Sequence, residues 1–307
     1  MATIADEIKD SFKNGSSLTR LIYINLGVFL VVKLLYVFFF LFSPSVGDLQ
    51  AKGIYFQQNI LKFLMLPASL QVLLYRPWSL VSYMFLHFQF FHILFNLLWL
   101  YWFGRIFLKY LNQRQILTTY LLGGLAGAGL FILSYNLFPG LKTDLETAQA
   151  LGASASVTAI VMAISFYAPN YEVYLPFIGP VKIKYIAVVF VITDILQIAS
   201  DNAGGHIAHL GGAIYGYMFA MQLKKGKDMG SLFGRFMDGI ATLFKPRRNM
   251  KVAYRKAATR EDDLEFNKMK GEHQKEIDRI LDKIAKSGYE SLSKKEKETL
   301  FKMSNQG

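Results

Sequence analysis

Chemistry has few places to reside in this chain of 307 residues. Cysteine is absent, which excludes thiol nucleophiles, thiolate-bound metals and disulfides. What remains is three short stretches in which hydroxyl, imidazole and amide groups interrupt apolar sequence. The first runs Phe85-Leu-His87-Phe-Gln-Phe-Phe-His92-Ile-Leu-Phe-Asn96, the second Gly152-Ala-Ser154-Ala155-Ser156-Val-Thr158, and the third Gly205-His206-Ile-Ala-His209. A serine hydroxyl is a weak nucleophile until a base accepts its proton, and neutral imidazole, with a pKa of about 6.5, is the usual base. Ser154 and His209 are therefore the candidate nucleophile and base. Acyl transfer also needs donors aimed at the developing oxyanion. The Asn96 amide and His92 imidazole, spaced i and i+4 on one helix face, are donors of that kind. Taken singly, each residue has a plainer reading, a serine bonding its own helix carbonyl or a histidine that merely caps or packs. Three such groups at one depth favour the catalytic reading.

The elements that must hold these residues are set by composition. At 53% hydrophobic and 15% aromatic, with mean hydropathy +0.28, the chain is too apolar for an ordinary soluble domain. Blocks nearly free of charge fall at 21–42, 85–105, 116–137, 150–168, 183–200 and 206–223, which predicts six membrane helices. The first block lies too far in, and is too long, for a signal peptide, so it is expected to be retained. Lys9, Lys13, Arg20, Arg105, Lys109, Arg114, Lys182, Lys184, Lys224, Lys225 and Lys227 all fall on one side of that pattern. The opposite loops carry Asp144, Glu146 and Asp201 against Lys142 alone, so the positive-inside bias places both termini in the cytoplasm and the chain in the cell (inner) membrane. The connection 43–84, with short apolar runs, is expected in the outer interface. All three chemical stretches then enter from the outer side at similar depth. Ala155, Ala159 and Ala163 on the fourth helix and Gly212, Gly216 and Ala220 on the sixth form small-residue stripes that allow close helix packing. Lys33 and Asp194 sit mid-span, and neither has an evident mechanism.

Beyond the sixth block the character changes. Residues 221–260 hold 11 Lys or Arg against 2 Asp or Glu, whereas 261–307 hold 10 against 11. The net charge of +12 is thus concentrated beside the membrane, which argues for attraction to anionic lipid and against nucleic acid as a partner. The expected organisation is a cytoplasmic segment 1–20, a six-helix domain 21–224, a basic linker 225–262 and a small helical hairpin 263–307 broken at Ser287-Gly288. The fold class is all-α, a polytopic membrane bundle with a helical tail.

Three motifs together resemble the rhomboid family of intramembrane serine proteases over residues 21–224. Gly152-Ala-Ser154-Ala resembles the family's GxSx nucleophile motif. Ala208-His209-Leu-Gly-Gly212-Ala-Ile-Tyr-Gly216 is similar to its AHxxGxxxG base helix, and His87, His92 and Asn96 match its HxxxxHxxxN helix. The resemblance implies a Ser154–His209 dyad without a third acid and oxyanion donors at Asn96 and His92. It also implies helix packing at Gly152, Gly212 and Gly216, no metal and no cofactor. Transmembrane segments of other proteins, cut near the outer face, are the implied substrates. Arg76-Pro-Trp78 stands where the family's first loop meets its second helix. Two positions depart from the pattern: Ala155 where many members have glycine, and Thr158 where an aromatic ring often stacks on the histidine. His206 competes with His209 but lacks glycines three and seven residues on, and Ser156 lies about 200° around the helix from Ser154. An inactive relative that binds membrane clients is the rival reading, and a transporter is a more distant one.

Overall fold

The computed structural model describes residues 3–43, 49–200, 202–243 and 260–304. Asp201 and residues 244–259 of the expected linker lie outside these. The chain divides into two compact units, Met1–Phe244 and Lys245–Gly307.

In the first unit, α1 (Ile4–Asn14) opens on a capping box, with the Asp6 amide donating to the Thr3 hydroxyl and the Thr3 amide donating to the Asp6 carboxylate. Donation from the Thr3 hydroxyl, at 2.7 Å, and then from the Thr3 amide holds the Asp6 carboxyl below its ordinary range. α2 (Ser17–Phe42) is capped by Ser16 and buries Leu18, Leu21, Asn25, Phe29 and Val32 on one stripe. Its far end exposes Leu34, Phe38, Leu41 and Phe42, an apolar surface that suits lipid. The connection to the next span is not a plain loop. It folds as α3 (Leu49–Asn59), β1 (Leu66–Pro67), α4 (Leu70–Tyr75), α5 (Ser79–Ser82) and a 3-10 turn over Tyr83–Phe85. The Tyr83 hydroxyl donates to the Gly124 carbonyl at 2.6 Å and the Tyr120 hydroxyl to the Met84 carbonyl at 2.9 Å. Each bond contributes roughly 1 kcal/mol and pins this turn against the bundle.

The helices that follow are α6 (Phe90–Tyr110), α7 (Gln113–Leu137), α8 (Ser154–Tyr167), α9 (Ile183–Leu196) and α10 (Ala203–Lys224). With α2 they account for the six expected apolar blocks, and the chain is an all-α polytopic membrane bundle. α2, α6 and α7 are long and apolar enough to cross a membrane by themselves. α8 has 14 residues, about 21 Å of helix against a hydrocarbon layer of about 30 Å, so one of its ends must lie within the bilayer. That position is tolerable because protein surrounds it: every residue from Ala155 to Ser165 is buried. Small residues make this central placement possible. A Cβ on Gly212 would strike the Ala155 carbonyl, one on Gly216 the Ala159 carbonyl, and one on Gly123 the Ala159 side chain, so α10 reaches the α8 backbone itself and α7 the methyl groups of α8.

Between α8 and α9 lies a hairpin, β3 (Glu172–Leu175) and β4 (Gly179–Lys182), which the apolar-block pattern does not predict. After α10 the chain forms α11 (Ser231–Leu243), where a linker was expected. Asp238 on α11 pairs with Arg114 at 3.0 Å, and Asp228 accepts from the Gln115 side chain at 3.0 Å, which ties this segment to the start of α7. The second unit holds α12 (Arg260–Ser287) and α13 (Lys294–Ser304), separated at Gly288, whose φ of +76° suits glycine. Ile280 and Leu292 are buried between them. The Ser293 amide, the Ser293 hydroxyl and Lys283 hold the Glu296 carboxyl at about 2, the amide bond being the largest cause.

Candidate active site

The candidate nucleophile, Ser154, is positioned from its N-terminal side. β2 (Gln149–Ala150) pairs antiparallel with β1, then the chain turns at Gly152 and enters α8. Gly152 has φ +126°, a region L side chains rarely adopt, and a Cβ there would lie 2.7 Å from His92 Cε1. Gly152 therefore shapes a turn against His92. It does not pack helices, as the motif resemblance suggested, because α8 begins two residues later. The Gly152 amide donates to the Tyr83 carbonyl at 2.9 Å, and the Ala153 amide donates to His87 Nε2 at 3.2 Å. An acceptor Nε2 places the His87 proton on Nδ1, which lies 3.4 Å from the Phe85 carbonyl. His87 is fully buried and precedes α6 instead of riding on it, since that helix starts at Phe90. Its part is to hold the turn that delivers Ser154, the first residue of α8.

α6 supplies a wall. His92 and Asn96 lie one turn apart on it, and the Asn96 amide donates one hydrogen to the His92 carbonyl at 2.8 Å. A side-chain amide carries a second N–H, which is left for another acceptor. No side chain caps the start of α8, so its first amides and the positive end of its dipole are also available to an anion. Ser154, Thr158, His92, Asn96 and His209 all line one cavity of about 900 Å³, together with Asp144 and Asn202 from the loops at that end of the bundle. Ser156 is elsewhere. Its hydroxyl is buried against Gly124 and has no hydrogen-bond partner among the described residues. Helical geometry thus separates the two serines as the 200° offset required.

The candidate base comes from α10. His209 lines the cavity, whereas His206 does not among the described residues. Helix α10 begins at Ala203, so His206 sits within its first turn. Both imidazoles direct Nδ1 at one oxygen: Asp194 Oδ1 lies 2.9 Å from His209 Nδ1 and 2.8 Å from His206 Nδ1. Asp194, on α9, is only 5% exposed, and its other oxygen has no partner among the described residues. This acid is the feature that the dyad resemblance did not contain. Its one signal in the sequence was the cost of a carboxylate in a membrane span. Lys33, the other mid-span charge, does not reach Asp194, and its ammonium lies 4.1 Å from the centre of the Phe88 ring. Ser154 Oγ and His209 share no hydrogen bond among the described residues, and such pairs commonly tighten only in the reacting complex. Asp194, His206 and His209 are also the one group of His, Asp or Glu among the described residues whose donor atoms, within 4.8 Å of one another, could hold a metal ion. Separations of 2.8 and 2.9 Å between nitrogen and oxygen are hydrogen-bond lengths, and hydrogen bonds join the cluster.

Comparison with known proteins identifies the domain. Residues 75–225, from just before α5 to the end of α10, match the Rhomboid domain. This stretch of the chain is a rhomboid domain, and the match supports membership of the rhomboid family. The chain is 28% identical over 161 residues to the RHOMBOID-like protein 12, mitochondrial, of Arabidopsis thaliana, a match covering 50% of this chain and 48% of that protein. The chain therefore spans about half the length of this curated relative. Residues 262–306, which include α12 and α13 from Asp262 on, match a family of unknown function (DUF6576).

Within the rhomboid domain both departures from the motif have a structural counterpart. The Ala155 methyl group fits because Gly127 on α7 lacks the Cβ that would meet it. Thr158 leaves the ring position on α8 empty, and a phenyl ring beside His209 comes instead from Phe190 of α9, with centroids 6.3 Å apart.

Proposed function

We propose that this rhomboid is an active intramembrane serine endopeptidase that hydrolyses peptide bonds in the transmembrane segments of other membrane proteins. The observation that carries the proposal is that a serine heading a buried helix and a histidine from a neighbouring helix open on one cavity with two further polar side chains. In the proposed reaction Ser154 Oγ attacks the scissile carbonyl carbon while His209 Nε2 accepts its proton. Asn96, His92 and the first amides of α8 stabilise the oxyanion. The imidazolium then protonates the leaving amine, and the acyl-serine ester remains. Water reaches it past Asp144 and Asn202, His209 deprotonates that water, and collapse of the second tetrahedral intermediate frees the carboxylate product and restores Ser154. Both termini are assigned to the cytoplasm of the cell (inner) membrane, which turns the cavity outward, and the basic segment after α10 is assigned to anionic lipid.

The test is cleavage of a model transmembrane substrate in lipid vesicles. Ser154→Ala is expected to lower the rate by about 10³-fold or more with the thermal unfolding midpoint unchanged, and Ser156→Ala to retain activity. Undiminished product from the Ser154 variant would support the client-binding reading instead.

A further inference from the structure

A carboxylate buried in a membrane bundle is costly to keep, so its bonds indicate its use. Asp194 spends one oxygen on two imidazoles and leaves the other without a partner among the described residues. It is one of three buried residues of α9, with Ile183 and Ala187, while Val188, Val189, Ile192, Ile195 and Leu196 are exposed. Phe190 of the same helix lies beside His209. α9 thus lines the cavity with the Phe190 ring and reaches His209 from behind with the Asp194 carboxylate.

Resting on the protease reading, we propose that Asp194 is the positioning residue of the His209 base, fixing its tautomer and stabilising its charged form, with His206 as a second donor that holds the carboxylate in place. A carboxylate oxygen only accepts, so a neutral His209 bonded to it through Nδ1 carries its proton there. The lone pair is then on Nε2, the nitrogen that must take the serine proton. During attack the ring becomes imidazolium, and the carboxylate at 2.9 Å stabilises that charge without itself accepting the proton. His206 makes the equivalent bond at 2.8 Å, so the acid stays oriented whether His209 is neutral or charged. A dyad in this chain is therefore completed by a carboxylate from a third helix. Alternatively Asp194 is a tether that only fixes α9 to α10, and the two roles separate experimentally.

Full-length protein in lipid vesicles, with variants Asp194→Asn, Asp194→Ala and His206→Ala, is assayed for kcat and KM on a transmembrane substrate. Nitrogen chemical shifts of its five histidines are recorded in parallel by selective labelling. Asparagine can still present an oxygen to both rings but carries no charge, so Asp194→Asn is expected to lower kcat by about 10- to 100-fold and Asp194→Ala by about 10²- to 10⁴-fold, with KM nearly constant. His206→Ala is expected to cost less than about tenfold. In the wild type His209 should be protonated at Nδ1, and in Asp194→Ala it should shift towards the Nε2 tautomer. Unchanged kcat in both Asp194 variants, or the same His209 tautomer with and without Asp194, would overturn the proposal. A fall in unfolding midpoint with kcat per folded molecule preserved would identify the tether. Should Ser154 prove unreactive in the wild type, the protease reading fails, and the tautomer measurement still decides whether Asp194 sets His209. Where the alanine variant does not fold, the asparagine variant decides through kcat, KM and the unfolding midpoint, its tautomer being expected to match the wild type.

Discussion

At the residue scale, the site is a set of polar side chains each made tolerable by a specific partner. His87 receives the Ala153 amide, Asn96 bonds the His92 carbonyl, and His209 bonds Asp194. Transition-state donors differ from binding groups in what their loss does to the kinetics. Asn96→Ala is expected to lower kcat by about 10- to 10³-fold with little change in KM, and His92→Ala to do similarly, because both groups act on charge that exists only during reaction. Steady-state kinetics on a transmembrane substrate would check this, and a change confined to KM would recast α6 as a substrate-recognition surface. Much of this set was legible from residue type and spacing alone: serine, imidazole and amide at matched depth pointed to one cavity. Asp194 was not, because nothing in a linear pattern says that a carboxylate on α9 and an imidazole 15 residues later share a bond. Only packing supplies that. Nor was the position of His87, since the run of apolar residues around it looks helical while the backbone forms a 3-10 turn held by Tyr83 and Tyr120.

At the scale of elements, α8 is the organising piece. It is short, apolar and buried throughout Ala155–Ser165, and glycines let α10 touch its backbone and α7 its small side chains. The small-residue stripes at Ala155, Ala159, Gly212 and Gly216 were legible in the sequence because close packing requires missing side chains at four-residue spacing. Helix ends were less so. Apolar blocks report hydrophobicity, whereas the start of α8 is set by the Gly152 turn, and the β3–β4 hairpin and α11 contain too mixed a composition to register as spans. Overpacking the α8–α10 contact is the corresponding test. Gly212→Val places a side chain against the Ala155 carbonyl, one residue from the nucleophile, and is expected to cost about 1–3 kcal/mol and lower the unfolding midpoint together with activity. An unchanged midpoint in a thermal scan would mean that the two helices are not held in this register.

At the scale of the whole molecule, an apolar girdle, a cavity opening at one end and basic residues at the other describe a polytopic membrane protein with a sided site. The proposed orientation rests on charge: Lys142 is at the end of the bundle that carries Asp144, and Lys227 follows α10 at the opposite end. Because the chain has no native cysteine, Lys142→Cys is expected to react with a membrane-impermeant maleimide in intact cells and Lys227→Cys only after permeabilisation. The reverse pattern would turn the cavity towards the cytoplasm. The central claim, that Ser154 is a nucleophile activated by His209, is tested most directly by treating the full-length protein in lipid with a fluorophosphonate and locating the adduct by mass spectrometry. The account predicts a single adduct on Ser154, lost in both Ser154→Ala and His209→Ala and retained in Ser156→Ala. An adduct that persists without His209, or that sits on another serine, would contradict it.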